Sequence, residues 1–202
     1  MTPEELSALH PRLFHLTAPE AVVRIREEGL LSAAAIVERE GADPALLARR
    51  RPAEVRVGPY TINDNLPLAE NVLAGVLDDG LRPADWLRML NGRVFFWADE
   101  KRLARLRGAN TNRDRSRAVL VVDTLSLARA HAKRMEICPI NSGATGRSPA
   151  RRGRLTFASL PDVDYDAWRR RRPTKSLDRI AEVTVRDGVP DVFDHVVEVR
   201  DV

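Results

Sequence analysis

With 202 residues, 44% of them hydrophobic, the chain can bury a sizeable core as a single domain carrying an elaborate insertion. It has no apolar run of about 18 residues, and Met1-Thr2-Pro3-Glu4-Glu5 opens an acidic amphipathic segment where a leader would be basic, so the expectation is a cytoplasmic protein with no membrane partner. The net charge of +4 hides an asymmetry: residues 101–175 hold 19 Lys and Arg against 6 Asp and Glu, and the remainder 14 against 23.

Pro3 to His10 is predicted to form a short helix, Arg12 to Leu16 a strand, and Pro19 to Glu28 an amphipathic helix with Gly29 as its C-terminal cap. Ser32 to Glu40 and Pro44 to Arg50 read as helical, and Gly58 to Asn65 as a Gly/Pro/Asn-rich stretch. Helices follow around Leu68 to Leu77 and Pro83 to Leu90, so residues 59–91 look like a helical insertion. Strands return at Val94 to Trp97 and Ala118 to Val122, then a helix over Leu125 to Lys133 and an extended piece at Ile137 to Ile140. From Asn141 to Ser176 the pattern is irregular and basic, with one strand-like island at Arg154 to Ala158. The chain closes with strands over Ile180 to Val185 and Val196 to Arg200 around a Gly188-Val189-Pro190 turn. Helices and short strands interleaved without a clean βαβ repeat indicate an α+β fold.

Three of these strands contain residues that a buried strand would not select: His15, the aromatics Phe95, Phe96 and Trp97 behind Arg93, and Glu182. An unpaired polar group in an apolar interior costs about 1–3 kcal/mol, so such residues face a site or find a partner, and three in three strands point to one cleft. Each also has a plain alternative: a satisfied core histidine, a purely apolar aromatic row, and a glutamate on an ordinary alternating strand. Alternation puts Phe95 and Trp97 on one face and Phe96 on the other.

Cys138, the one cysteine, stands among Ile137, Pro139 and Ile140 and reads as a buried structural thiol. The four histidines lie far apart with no His or Cys at ligand spacing, and no Gly-rich phosphate loop is present, so no metal is expected. The arginine runs, including Arg113, Arg115, Arg117 and Arg169 to Arg172, suit a polyanion such as DNA or RNA, although only three of the 33 basic residues are lysine, as in chains from GC-rich genomes. Asn141-Ser142-Gly143 and Thr145 form a further polar knot that also reads as a plain turn.

Leu13-Phe14-His15-Leu16-Thr17, followed by a helix and Glu28-Gly29-Leu30-Leu31-Ser32, resembles the opening of NAD-dependent ADP-ribosyltransferases. Ala181-Glu182-Val183-Thr184-Val185 with Gly188-Val189-Pro190 resembles the catalytic-glutamate region of their DarT branch, whose members modify DNA, and Val94-Phe95-Phe96-Trp97 stands where the superfamily has its aromatic second motif. The resemblance implies a split β-sheet core with peripheral helices, NAD+ as substrate and release of nicotinamide. It gives Glu182 the catalytic role, His15 and Thr17 the ribose contacts, and Phe95 and Trp97 a stacking surface. Arg51, in competition with Arg49 and Arg50, would meet the pyrophosphate. Tyr165, Trp168, Arg169 and Arg171 would face the acceptor, where aromatics beside arginines suit an unstacked base. DarT-like toxins also imply an antitoxin or hydrolase partner.

Two departures leave the acceptor open among DNA, RNA and protein. The second motif is Phe-Phe-Trp rather than a tyrosine or a Ser-Thr-Ser strand, and residues 59–91 have no counterpart. The alternatives are an RNA 2′-phosphotransferase-like enzyme and a non-enzymatic nucleic-acid-binding domain.

Overall fold

The computed structural model describes residues 1–107, 116–146, 149–170 and 180–201. Helix α1 (Pro3–Leu9) starts behind a capping box in which Thr2 and Glu5 satisfy each other's amides. It leads into β1 (Arg12–Thr17) and α2 (Ala21–Glu28), which stops at Gly29 with φ 80°. Then come β2 (Leu30–Leu31) and α3 (Ala33–Arg39), capped by the Ser32 hydroxyl. A hairpin, β3 (Val55–Val57) and β4 (Tyr60–Ile62), turns at the head of the Gly/Pro/Asn-rich stretch, because Gly58 at φ 54° lets the chain reverse. Helices α4 (Glu70–Val76) and α5 (Pro83–Asn91) precede β5 (Arg93–Trp97), α6 (Glu100–Arg107), β6 (Ala118–Asp123), α7 (Thr124–His131) and β7 (Met135–Cys138).

The island expected at Arg154 to Ala158 is a 3-10 turn over Arg154–Thr156 followed by the short β8 (Ala158–Ser159). The turn forms because the Gly153 amide donates to Thr156 Oγ1 at 2.8 Å and the Thr156 amide returns to the Gly153 carbonyl at 3.0 Å. Helix α8 (Tyr165–Arg170) lies in the segment read as irregular, started by Asp164, whose carboxylate takes the Ala167 amide at 3.0 Å. The chain ends with β9 (Glu182–Arg186), β10 (Gly188–Val189) and β11 (Val196–Asp201). The described residues thus form an α+β fold, as expected, and none of their helices is long and apolar enough to cross a membrane.

Seven strands make one sheet in the order β11-β6-β1-β5-β9-β7-β8, with every neighbouring pair antiparallel. Register sets the two faces. Phe14, Trp97, Glu182 and Cys138 lie side by side across four strands and share one face. The opposite face carries Leu13, Val94, Phe96, Leu120, Ile137, Val183 and Val185, which pack with Leu6 of α1, Ile25 of α2, Leu127 of α7 and Trp168 of α8 into the main core. Helices α4 and α5 cover the Glu182 face through Leu73, Trp86, Leu87 and Leu90, which pack on Cys138, Phe157 and Phe95. The helical insertion is therefore one wall of the sheet's environment.

Candidate functional site around Glu182

Strand β1 pairs along its whole length with β6 but meets β5 at a single register pair, Phe14 with Trp97. Beyond it the two strands part, and the side chain of His15 bridges the opening: its Nδ1 lies 2.9 Å from the Phe95 carbonyl. A carbonyl only accepts, so Nδ1 carries the hydrogen and the Nε2 lone pair is left to accept. Burial pushes His15 below the ordinary imidazole range, against the raising effect of the Phe95 hydrogen bond, and keeps the ring neutral.

Glu182, the first residue of β9, is 4% exposed. Its carboxylate accepts the Ser142 amide at 3.2 Å to each oxygen and the Ser142 hydroxyl at 2.7 Å to Oε2. Burial pushes this carboxyl up to about 7, opposed by the Ser142 hydroxyl and amide, the Cys138 thiol and the charge of Arg152. Desolvation wins because few donors reach it.

Ser142 is itself fixed from behind. Arg152, 2% exposed, donates to the carbonyls of Ser142 and Ala144 at 3.0 Å and of Ala150 at 3.1 Å, and the Trp86 indole donates to the Ser142 carbonyl at 3.3 Å. Thr145 ties the same loop to the insertion, its amide donating to Pro67 at 2.9 Å and its hydroxyl accepting the Ala69 amide at 2.7 Å. The polar knot around Asn141 is thus the lid of the Glu182 carboxyl. Next along the same face, Arg93 forks onto Glu136 at 2.7 and 3.0 Å, and Thr184 donates to Glu136 at 3.1 Å.

Trp97 stands beside Glu182 in register and packs, half-buried, with Phe14 and Leu103. Phe95 sits on the same face, edge-on to Phe157 at 6.3 Å. His15 does not join them: next to Phe14 in β1, it points to the opposite face, where its ring lies 5.7 Å from Phe96, and Thr17 alternates to that side too. The three strand motifs meet at one seam but from two faces. Arg51 is drawn elsewhere, because it is 4% exposed and its guanidinium donates to Asn63, Leu46 and Asn91 at 2.9–3.0 Å, bracing the insertion.

Trp168 is a core residue stacked on Tyr165 at 5.8 Å, so its indole packs inside the sheet's main core, and Arg169 pairs with Asp166 at 2.9 Å. Arg171, with Arg113, Arg115 and Arg172, lies outside the described residues. Several arginines of the basic region are neutralised within the fold: Arg117 by Glu54, Arg129 by Glu4 and Arg151 by Asp78. Cys138 is fully buried. A groove of about 450 Å³ opens by β7 and β8 between Lys133, Glu136, Phe157 and Arg186, and Glu182 does not line it.

Ser142 carried a legible signal in its Asn-Ser-Gly setting. Arg152 did not, because a buried arginine and a surface arginine look alike in a basic run. Spacing also missed a second polar cluster, in which His131 meets Asp191 and His195.

Fold and site together define an α+β protein on a seven-stranded antiparallel sheet, with a buried glutamate under a serine lid beside a parted strand pair. A family model matches residues 11–196, and the chain belongs to that family, DUF7002, a family of unknown function. No curated protein matches the chain.

Proposed function

We propose that this protein is an NAD+-dependent ADP-ribosyltransferase, a glycosyltransferase of the pentosyl class, with Glu182 as its catalytic carboxyl and a nucleic acid as acceptor. The observation that carries the proposal is the Glu182 carboxyl itself, buried beside Trp97 and poised at about 7. Perturbed carboxyls of this kind gather at functional sites.

In the reaction the bond between ribose C1′ and the nicotinamide nitrogen breaks, and nicotinamide leaves with the bonding pair. An oxocarbenium-like ribosyl centre develops positive charge, which the ionised Glu182 stabilises in a poorly hydrated setting where Coulomb attraction is strong. As the acceptor's nucleophile bonds to C1′, Glu182 takes its proton, a role for which a pKa near neutrality is suited. NAD+ lies across the seam between β1 and β5, so that His15 Nε2 accepts from a ribose hydroxyl on one side while Trp97 flanks the nicotinamide riboside on the other. Arg51 takes no part, its donors being occupied.

The test is incubation of the folded protein with labelled NAD+ and, in parallel, single-stranded DNA, RNA and total protein, with Glu182→Gln alongside. Label transferred by the wild type and lost in the variant supports the proposal and names the acceptor. Neither transfer nor nicotinamide release would overturn it, and salt-sensitive nucleic-acid binding that ignores NAD+ would then identify a binding domain.

A further inference from the structure

Helix α7 ends on His131, and the turn after β10 brings Asp191 and His195 against it from the other end of the chain. The two imidazoles are 8% and 6% exposed and meet edge to face at 5.7 Å. His131 Nε2 lies 2.7 Å from Asp191 Oδ1, and His195 Nε2 lies 3.5 Å from Asp191 Oδ2. All three ligand-type atoms fall within 4.8 Å of one another. His195 Nε2 is buried, is aimed at the carboxylate and makes no hydrogen bond. On the far side of that ring, Ser126 Oγ stands 2.7 Å from Nδ1.

From this arrangement we infer that His131, Asp191 and His195 form a binding site for a divalent transition-metal cation of the zinc class, ligated by both Nε2 atoms and the Asp191 carboxylate. The donor chemistry selects the cation. Two imidazoles with one carboxylate suit zinc and its first-row neighbours, whereas calcium and magnesium demand oxygen ligands. The spacing needs only a small contraction, since bonds of about 2.0–2.2 Å put tetrahedral ligand atoms about 3.3 Å apart and the three ligand atoms here already lie within 4.8 Å of one another.

The outer contacts divide. Ser126 Oγ can accept from Nδ1–H of His195, and with a cation bound that tautomer gives the Nε2 lone pair to the metal, as the outer partner of a metal-bound histidine does. Arg134 acts the other way: its Nη2 donates to His131 Nδ1 at 2.9 Å, which places the ring hydrogen on Nε2 against Asp191. Cation binding at Nε2 therefore moves the ring hydrogen to Nδ1, a change of tautomer with no net proton release, and breaks the Arg134 contact. Asp191, with its side chain 37% exposed, opens the site to solvent, from which a water would complete the coordination. A cation here joins α7 to the turn between β10 and β11.

The experiment is titration of the full chain with zinc chloride by calorimetry and with cobalt(II) by visible absorption, followed by thermal melts. Expected are 1:1 binding, a d–d band of four- or five-coordinate cobalt, and a Tm higher by about 5–10 °C at a hundredfold excess over Kd. His195→Gln and Asp191→Asn should each lose the band and the shift while melting cooperatively without metal. Arg134→Met should tighten binding about tenfold, because the competing donor is gone. No binding by folded wild type, or binding indifferent to all three substitutions, overturns the proposal. None of these readouts depends on transferase activity.

Discussion

Ser142 holds both oxygens of Glu182, its amide 3.2 Å from each and its hydroxyl 2.7 Å from one. A hydrogen bond to a charged group is worth about 1.5–3 kcal/mol, so Ser142→Ala should raise the Glu182 pKa by about one unit or more. The carboxyl resonance of labelled Glu182, followed by NMR against pH, checks this. An unmoved midpoint would mean that the lid does not govern the carboxyl.

Arg152→Met should act in the same direction and cost more. It removes a positive charge that favours the ionised carboxyl, and it leaves the carbonyls of Ser142, Ala144 and Ala150 without their buried donor. A loss of about 3 kcal/mol is expected in urea unfolding, with faster amide exchange over 142–146.

The pH dependence of stability follows from the sign of the Glu182 shift. Its folded-state pKa, about 7, lies above the ordinary 4.5, so the folded protein keeps a proton that the unfolded chain has released. The contribution is fully present below about pH 4.5 and is lost as pH rises through about 7, amounting to about 3 kcal/mol. Glu182→Gln should lack this slope and be the more stable protein at pH 8. Denaturant midpoints of both proteins from pH 5 to 8 test it, and parallel curves would refute the buried carboxyl. On the proposed chemistry the wild-type transfer rate rises over the same interval to a plateau.

Arg93 and Glu136, with side chains 13% and 11% exposed, form a forked ion pair under the ring of Phe157. Removing one partner strands the other charge, so Arg93→Leu or Glu136→Leu alone should cost about 3–5 kcal/mol. The double substitution should cost less than the sum. A thermodynamic cycle on the four proteins measures the coupling, and simple additivity would show that the pair contributes only packing.

Gly29→Ala should be severely destabilising, by several kcal/mol, for two reasons that reinforce each other. Its φ of 80° disfavours any side chain, and an added Cβ would stand 2.4 Å from Pro190 Cα, well inside contact distance. Thermal melts against Ser32→Gly, a mild change at a helix cap, provide the comparison.

Most of the regular elements were legible because their signals are local. The Gly29 stop and the alternation in Arg93–Trp97 each act within a few residues. Glu182 stood out because a carboxylate among Ile180, Ala181 and Val183 needs a reason. Registers across the sheet were not legible, and these send His15 to the opposite face from Trp97. Nor was the bracing role of Arg51 or the burial of Arg152, since both depend on carbonyls contributed from distant segments. The meeting of His131 with Asp191 and His195 was hidden for the same reason.

Strand β9 lies between β5 and β7, so the interior of the sheet is filled by one of the last segments of the chain. The strands on either side of it cannot reach each other beforehand, and joining them requires closure of long loops, which slows assembly. Any folding intermediate that lacks β9 also lacks the Ser142 contact, leaving Glu182 an ordinary hydrated carboxylate. Its raised pKa therefore arises only once β9 is seated between β5 and β7, which makes the titration of this one group a reporter of that insertion.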